Sequence, residues 1–256
     1  PLNVLLQRQR PQDIGLEPDG DAMPSATGPD EERRSNVVDP DWVATEWTLG
    51  LAMRTARFWW VFMGFFSGLF AWYAVQVHQT KYLIETGFDP DLAAYALGLV
   101  GFTGIVGQIA LGHLSDRVGR EWAWTASGLG YVVCYASLLL LPQYSNSITL
   151  YLIVGSQGLL GYGLTSVVGA IPAELFQGKQ YSTIFGTLSI GAGLGAAGAP
   201  WITGMMYDRF GSYTPAWWLA LGVSVVSILC IWCAAPRRVR VVTGQIDRLH
   251  ARQREH

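Results

Sequence analysis

Ten residues, Gly112-His113-Leu114-Ser115-Asp116-Arg117-Val118-Gly119-Arg120-Glu121, set two glycines, an aspartate and two arginines between long apolar stretches. Glycine lets a backbone turn tightly. Asp116 stands where one helix is expected to end, with Arg117 and Arg120 near the start of the next. A carboxylate that meets helix N-terminal amides or arginines in one conformation and loses them in another works as a switchable ionic lock. The alternative is an ordinary helix-end loop with its charges in water. Glu174, just after Pro172 at the end of a later apolar block, is the expected partner of Arg117 or Arg120 if the two ends meet. The expected latch is therefore Gly112, Asp116, Arg117, Gly119, Arg120 and Glu174.

Polar side chains inside apolar blocks are costly and invite a functional reading. Gln157, flanked by Ser156 and Gly158, is followed by Tyr162 and Thr165, and Gln108 lies in an earlier block. Tyr73, Gln76 and His78 form a polar run with Gln79 and Lys81. These seven, Gln157, Tyr162, Thr165, Gln108, Tyr73, Gln76 and His78, are the candidates for a solute path. His78 carries the one side-chain type among them that is suited to proton exchange without a large change of environment, which would suit proton coupling. Each also has a structural reading: a buried amide joins helices, and a histidine beside a snorkelling lysine is ordinary near a membrane interface.

The elements that must position these groups follow from composition. Of 256 residues, 50% are hydrophobic and 14% charged, which places the chain among integral membrane proteins. Six apolar blocks have the roughly 20-residue length that crosses a bilayer core, with expected spans 57–82, 91–115, 121–141, 147–172, 182–207 and 213–235. The expected fold is all-α. Residues 1–56 read as a cytoplasmic loop with one short interfacial helix over 41–56, whose Trp42 and Trp47 suit the headgroup zone. Residues 57–235 read as the six-helix bundle and 236–256 as a cytoplasmic tail. Leu2, Val4, Leu5 and Leu6 before Arg8 and Arg10 could end a preceding span, and a chain opening on Pro1 is expected to be a fragment. Basic residues gather at Arg54 and Arg57, Arg117 and Arg120, Lys179, and Arg237 to Arg240, all on one side, so both ends of this stretch are expected in the cytoplasm.

Gly112-x-x-x-Asp116-Arg117-x-Gly119 is echoed by Gly204-x-x-x-Asp208-Arg209-x-Gly211, on the opposite side. Three helices followed by three of inverted topology recur in transporters. Glycines at 98, 101, 104 and 107, and at 191, 193, 195 and 198, would let backbones approach or slide. The greasy third and sixth spans are expected to face lipid. Cys134, Cys230 and Cys233 fall within spans and read as packing residues. No metal-ligand cluster, cofactor motif or nucleic-acid footprint is present, and no glycine-lysine loop cradles a phosphate. An intramembrane serine protease would fit six spans, but Gly155-Ser156-Gln157-Gly158 lacks the Gly-x-Ser-Gly spacing and no histidine lies between 155 and 235. A secondary transporter is the leading reading, with an intramembrane enzyme or a non-transporting scaffold as alternatives.

The segment Gly112 to Glu121 resembles the motif between helices two and three, and eight and nine, of the major facilitator superfamily. Pro172-Ala173-Glu174-Leu175-Phe176 resembles the end of that family's tenth helix, and Tyr207-Asp208-Arg209-Phe210-Gly211-Ser212-Tyr213 its last turn. The resemblance implies that the spans are helices seven to twelve, half of a twelve-helix fold built as a 3+3 inverted repeat. It further implies rocker-type alternating access, with the lipid bilayer, a small-molecule solute and an absent N-terminal six-helix half as partners. Gly15-Leu16-Glu17-Pro18-Asp19-Gly20, Trp47-Thr48 and Arg57-Phe58-Trp59 are similar to the branch holding oxalate:formate antiporters and monocarboxylate transporters, which implies small organic anions. Stretches 91–111 and 182–207 contain no arginine or lysine, so an anion's counter-charge is expected from the other half. The expected location is a bacterial inner membrane.

Overall fold

A computed structural model describes residues 36–242 and 244–246; the apolar tail at Leu2 to Leu6 and the Gly15 to Gly20 segment lie outside them. Among the described residues, regular structure is helical apart from one isolated antiparallel bridge, Val37 to Arg240. Two short helices come first, α1 (Pro40–Ala44) and α2 (Leu49–Ala52), then α3 (Ala56–Glu85), α4 (Pro90–Val118) and α5 (Arg120–Leu140). The fourth span is segmented, and α9 (Tyr181–Phe210) and α10 (Thr214–Ala234) complete the bundle. Six helical stretches are long and apolar enough to cross a membrane.

Most helices outrun the expected spans at one or both ends, because apolarity marks only the part in hydrocarbon while capping residues carry the helix further. Thr55 accepts from the Phe58 amide at 3.3 Å. Asp89 accepts from the amides of Asp91 and Leu92 at 2.9 and 3.3 Å, with Pro90 as the first helical residue.

The expected single interfacial helix is instead two turns. Thr48 caps α2 by accepting from Leu51, so the chain breaks between Thr45 and Thr48. Its tryptophans turn inward: Trp47 is buried, with its ring 5.2 Å from Phe176, and the Trp42 indole donates to the Leu175 carbonyl at 2.7 Å.

The fourth span departs most from expectation. It runs as α6 (Ser147–Gly155), a π-turn over Ser156–Leu160, a 3-10 turn over Gly161–Gly163, then α7 (Leu164–Val167) and α8 (Ala170–Leu175). Glycines on both sides admit this thick, irregular segment. A Cβ on Gly107 would sit 2.6 Å from the Gly158 carbonyl oxygen, and one on Gly130 would sit 2.6 Å from the Ser156 carbonyl oxygen. Gly104 lies flat against the Tyr162 ring and Gly163 against Leu111.

The first span, α3, packs against both α9 and α10, and the fourth span is wedged between α4 and α5. Two apolar clusters result, one around Tyr82, Tyr135, Leu138 and Trp217, the other around Phe58, Phe65, Trp124, Ile171 and Phe176. The third span does not simply face lipid. Over its most apolar stretch α5 is 56% buried, whereas α4 and α9 are only 28% buried. α4 leaves Tyr95, Phe102, Ile105 and Ile109 exposed, and α9 leaves Ile190, Leu194 and Trp201. The glycines divide accordingly. Gly104 and Gly107 pack on the fourth span and Gly191 and Gly195 on Phe62 and Phe66, while Gly98, Gly101, Gly193 and Gly198 look into open space.

Candidate functional site

The charged motif is tighter than a loop: Gly119 alone separates α4 from α5, serving as the last cap of one and the first of the other. Its φ of 111° and ψ of 156° lie in a region essentially reserved for glycine. This one-residue turn sets Arg120 over the end of α4. Its Nη1 donates to Asp116 Oδ1 at 2.6 Å and also to the Ser115 hydroxyl, while Nε donates to Glu174 Oε1 at 2.7 Å. One guanidinium therefore joins the second, third and fourth spans. The Arg120 and Glu174 side chains are 17% and 16% exposed, against 61% for Asp116.

Between the two arginines, the geometry selects Arg120. Arg117 lies in the last turn of α4 and makes no ion pair among the described residues. Gly112 faces Ser166 on the fourth span at ordinary contact distance. Glu121, the next residue, is buried and accepts from the Arg237 amide at 2.8 Å and its guanidinium at 3.4 Å.

Among the mid-span candidates, three converge. Gln76 Oε1 accepts from Gln157 Nε2 and from the Tyr162 hydroxyl, each at 3.1 Å. Tyr162 also lies 4.6 Å from the Trp72 ring. Gln157 is fully buried at the π-turn with its Oε1 unpaired, and the buried Tyr131 hydroxyl, whose ring backs Gly161, is unpaired as well. The result is a neutral patch of amides and aromatic rings holding spare hydrogen-bonding capacity.

The other four stand apart. Thr165 spends its hydroxyl on the Tyr162 carbonyl at 2.8 Å. Gln108 is half-buried and Tyr73 is 39% exposed, and neither side chain joins the Gln76 cluster. His78 belongs to a second cluster at the far end of the bundle. Its Nε2 donates to the Pro200 carbonyl at 3.0 Å, which leaves Nδ1, 3.2 Å from the Tyr213 hydroxyl, to accept in the neutral ring. Burial raises the Tyr213 phenol pKa, with Lys81 opposing. Lys81 sits 3.9 Å over the Tyr207 ring, and the Tyr207 hydroxyl donates to Glu85 at 2.6 Å.

Ser115, Glu121, Arg237 and Gln245 were not among the expected residues. An acidic residue in the first turn of a helix is a legible signal for Glu121. The basic run after the sixth span points toward Arg237. Nothing in the local pattern marks Ser115 or Gln245.

A family model described as Major Facilitator Superfamily matches residues 8–168. The chain is 30% identical over 150 residues to Monocarboxylate transporter 13 of Rattus norvegicus, covering 56% of this chain and 33% of that protein. It is 25% identical over 170 residues to the uncharacterized MFS-type transporter YhjX of Escherichia coli, covering 65% and 40%. With the Benzoate transport protein of Acinetobacter baylyi it shares 27% over 184 residues, covering 70% and 37%. The matches thus span between a third and two-fifths of these relatives' own length. Among solved structures, a mutant peptide transporter POT in complex with alafosfalin is similar in fold, with TM-score 0.64 and 18% identity, covering 77% of this chain and 44% of that one.

Proposed function

The chain belongs to the Major Facilitator Superfamily, and we propose that it forms one six-helix wall of a secondary transporter that moves a small organic anion by rocker-type alternating access. The observation that carries this reading is the Gln76–Gln157–Tyr162 cluster at the irregular turn of the fourth span. Irregular backbone at membrane depth persists only where protein buries it or it lines a cavity. A buried amide oxygen without a partner there supplies a ready acceptor for a solute.

A second six-helix half is the proposed partner. The poorly buried faces of α4 and α9, with small residues among exposed aromatic and aliphatic ones, suit helix-helix contact in a bilayer. The share of each relative that the chain matches supports the same division. The basic residues around Arg120 and Arg237 support a cytoplasmic position for that end by the positive-inside rule, and a bacterial inner membrane is the proposed host. There Arg120 acts as the latch, tying the turn at Gly119 to Glu174 while the inner rim is closed.

Relatives named for monocarboxylate and benzoate transport support a carboxylate substrate. The neutral patch on this half suits the uncharged end of such a solute, with Trp72 and Tyr162 as its apolar floor; the counter-charge then comes from the other half. Lactate, whose hydroxyl can donate to the unpaired Gln157 Oε1, is the first solute to test, with formate, oxalate and benzoate, whose anions carry no donor, beside it. The protease alternative falls away, because the Ser156 hydroxyl donates to the Ile153 carbonyl at 3.2 Å and the relatives are transporters.

The test is uptake by the intact transporter that carries this chain, reconstituted in proteoliposomes. For lactate, whose hydroxyl can donate to Gln157 Oε1, Gln157→Leu is expected to raise KM about two- to tenfold, as loss of one hydrogen bond between uncharged groups would, with less effect on the maximal rate. Transport of no carboxylate under any gradient, the outcome for a scaffold, refutes the proposal; an unchanged KM removes Gln157 from the path.

A further inference from the structure

The segment after the sixth span folds back over the Arg120 turn and is fastened at several points. Arg237 approaches the buried Glu121 carboxylate through both its amide and its guanidinium, at 2.8 and 3.4 Å. Gln245 Nε2 donates to the Val118 carbonyl at 2.6 Å, one residue before Gly119. Gly244 lies so close to the neighbouring chain that a Cβ there would be 2.7 Å from Arg117 Cα and 2.9 Å from its carbonyl oxygen.

Between these fastenings the same segment is held from the other side. The Val38 amide donates to the Val239 carbonyl and the Val241 amide to the Asn36 carbonyl, both at 2.9 Å. The Arg240 guanidinium donates to Asn36 Oδ1 at 3.1 Å and to Gln177 Oε1 at 2.8 Å. Val239 and Val242 are buried. The segment therefore touches residues 36–38 ahead of α1, the end of the fourth span and the Gly119 turn at once.

We propose that residues 236–242 and 244–246 form a strap that sets the position of the Gly119 turn, and that Glu121 and Gln245 are positioning residues for Arg120. The backbone of Val118 and Gly119 determines where the Arg120 side chain starts. Its Nε must reach Glu174 while Nη1 reaches Asp116, and a guanidinium is a rigid fork that tolerates little displacement. Capping the Val118 carbonyl with Gln245 and anchoring Glu121 to Arg237 holds that starting point from both sides of the glycine. Release of the strap frees the turn and weakens the Arg120 bond without touching either of its partners.

This inference rests on the latch reading of Arg120, and the experiment separates the two. The intact transporter carries Cys233→Ser, to remove its exposed thiol, and Gly186→Cys, at a position on α9 with open space around it; the readout is the rate of thiol labelling at residue 186, which closure of the inner rim shields. Gly244→Val and Gln245→Glu, which loses the N–H donor at unchanged length, are expected to raise the labelling rate about fivefold, the factor that one net hydrogen bond represents. Gln245→Lys keeps a donor and stays near the parent rate. In a Glu174→Gln background the tail substitutions add nothing further, because they act through a bond already weakened. If Glu174→Gln shifts the rate and the tail variants do not, or if they multiply it in full, the strap is refuted alone. If Glu174→Gln leaves the rate unchanged, the latch falls and the strap with it.

Discussion

Glu174→Gln is the most informative perturbation of the Arg120 hub, because it preserves shape and an acceptor oxygen while deleting one charge. Arg120 Nε lies 2.7 Å from Glu174 Oε1, with both side chains largely shielded from water. A hydrogen bond to a charged group is worth about 1.5–3 kcal/mol net; after the substitution the bond keeps the Arg120 charge but loses the carboxylate's, and falls from the top of that range to the bottom. The substitution thus removes about 1–1.5 kcal/mol from the state in which the bond is made, and Asp116 still partners the remaining charge. A two-state equilibrium then shifts about 5- to 12-fold away from the closed inner rim. In the Gly186→Cys reporter the labelling rate rises by that factor, in low and high salt alike, because a shielded pair is screened little. Labelling equal in the parent, in Glu174→Gln and in Arg120→Ala refutes the claim that this bond biases the rim.

Asp116→Asn is expected to shift the same reporter less, by about fivefold at most, and by nothing measurable at high salt, because a largely exposed pair is worth about 0–1 kcal/mol; a shift larger than that of Glu174→Gln reverses the ranking. Gly119→Ala forces an L side chain into a backbone region that costs about 1–3 kcal/mol, so the purified transporter melts several degrees lower, and an unaltered melting temperature refutes the one-residue turn.

The helices were legible because a bilayer leaves few options: backbone groups must be paired within the segment, so an apolar block of the right length becomes a helix. The charged residues that meet at the Gly119 turn were legible because turn glycines and charges cluster where chain meets water. What the local pattern did not disclose was partnership at a distance. Arg117 and Arg120 are equivalent by residue type, and only the single-residue turn at Gly119 directs one of them toward Glu174. The fourth span reads as one helix by hydropathy, yet glycines from α4, α5 and the span itself let neighbours press on it until its pitch changes. Glycine content signals close approach, but not which backbone approaches. The open faces of α4 and α9 stay hidden for a related reason: inside hydrocarbon, a helix facing lipid and one facing another helix are equally apolar.

The repeated motif makes the same point in reverse. Gly119 and Gly211 both end a helix at positive φ, each with its amide bonded to the carbonyl four residues back, so the second copy retains the turn. It does not retain the hub. The position matching Arg120 is Ser212, whose hydroxyl accepts locally from the Thr214 amide at 3.2 Å, and Asp208 and Arg209 make no ion pair among the described residues. That end is joined instead by Lys81 over Tyr207, by Tyr207 on Glu85, and by His78 between Tyr213 and Pro200. The Lys81 group is open to water, where charges are screened within about 8 Å, whereas the Arg120–Glu174 bond is shielded. On the proposed reading, an inverted repeat with one strong lock and one weak one rests with its inner rim shut, and the energy that opens it must come from solute or ion binding near Gln157.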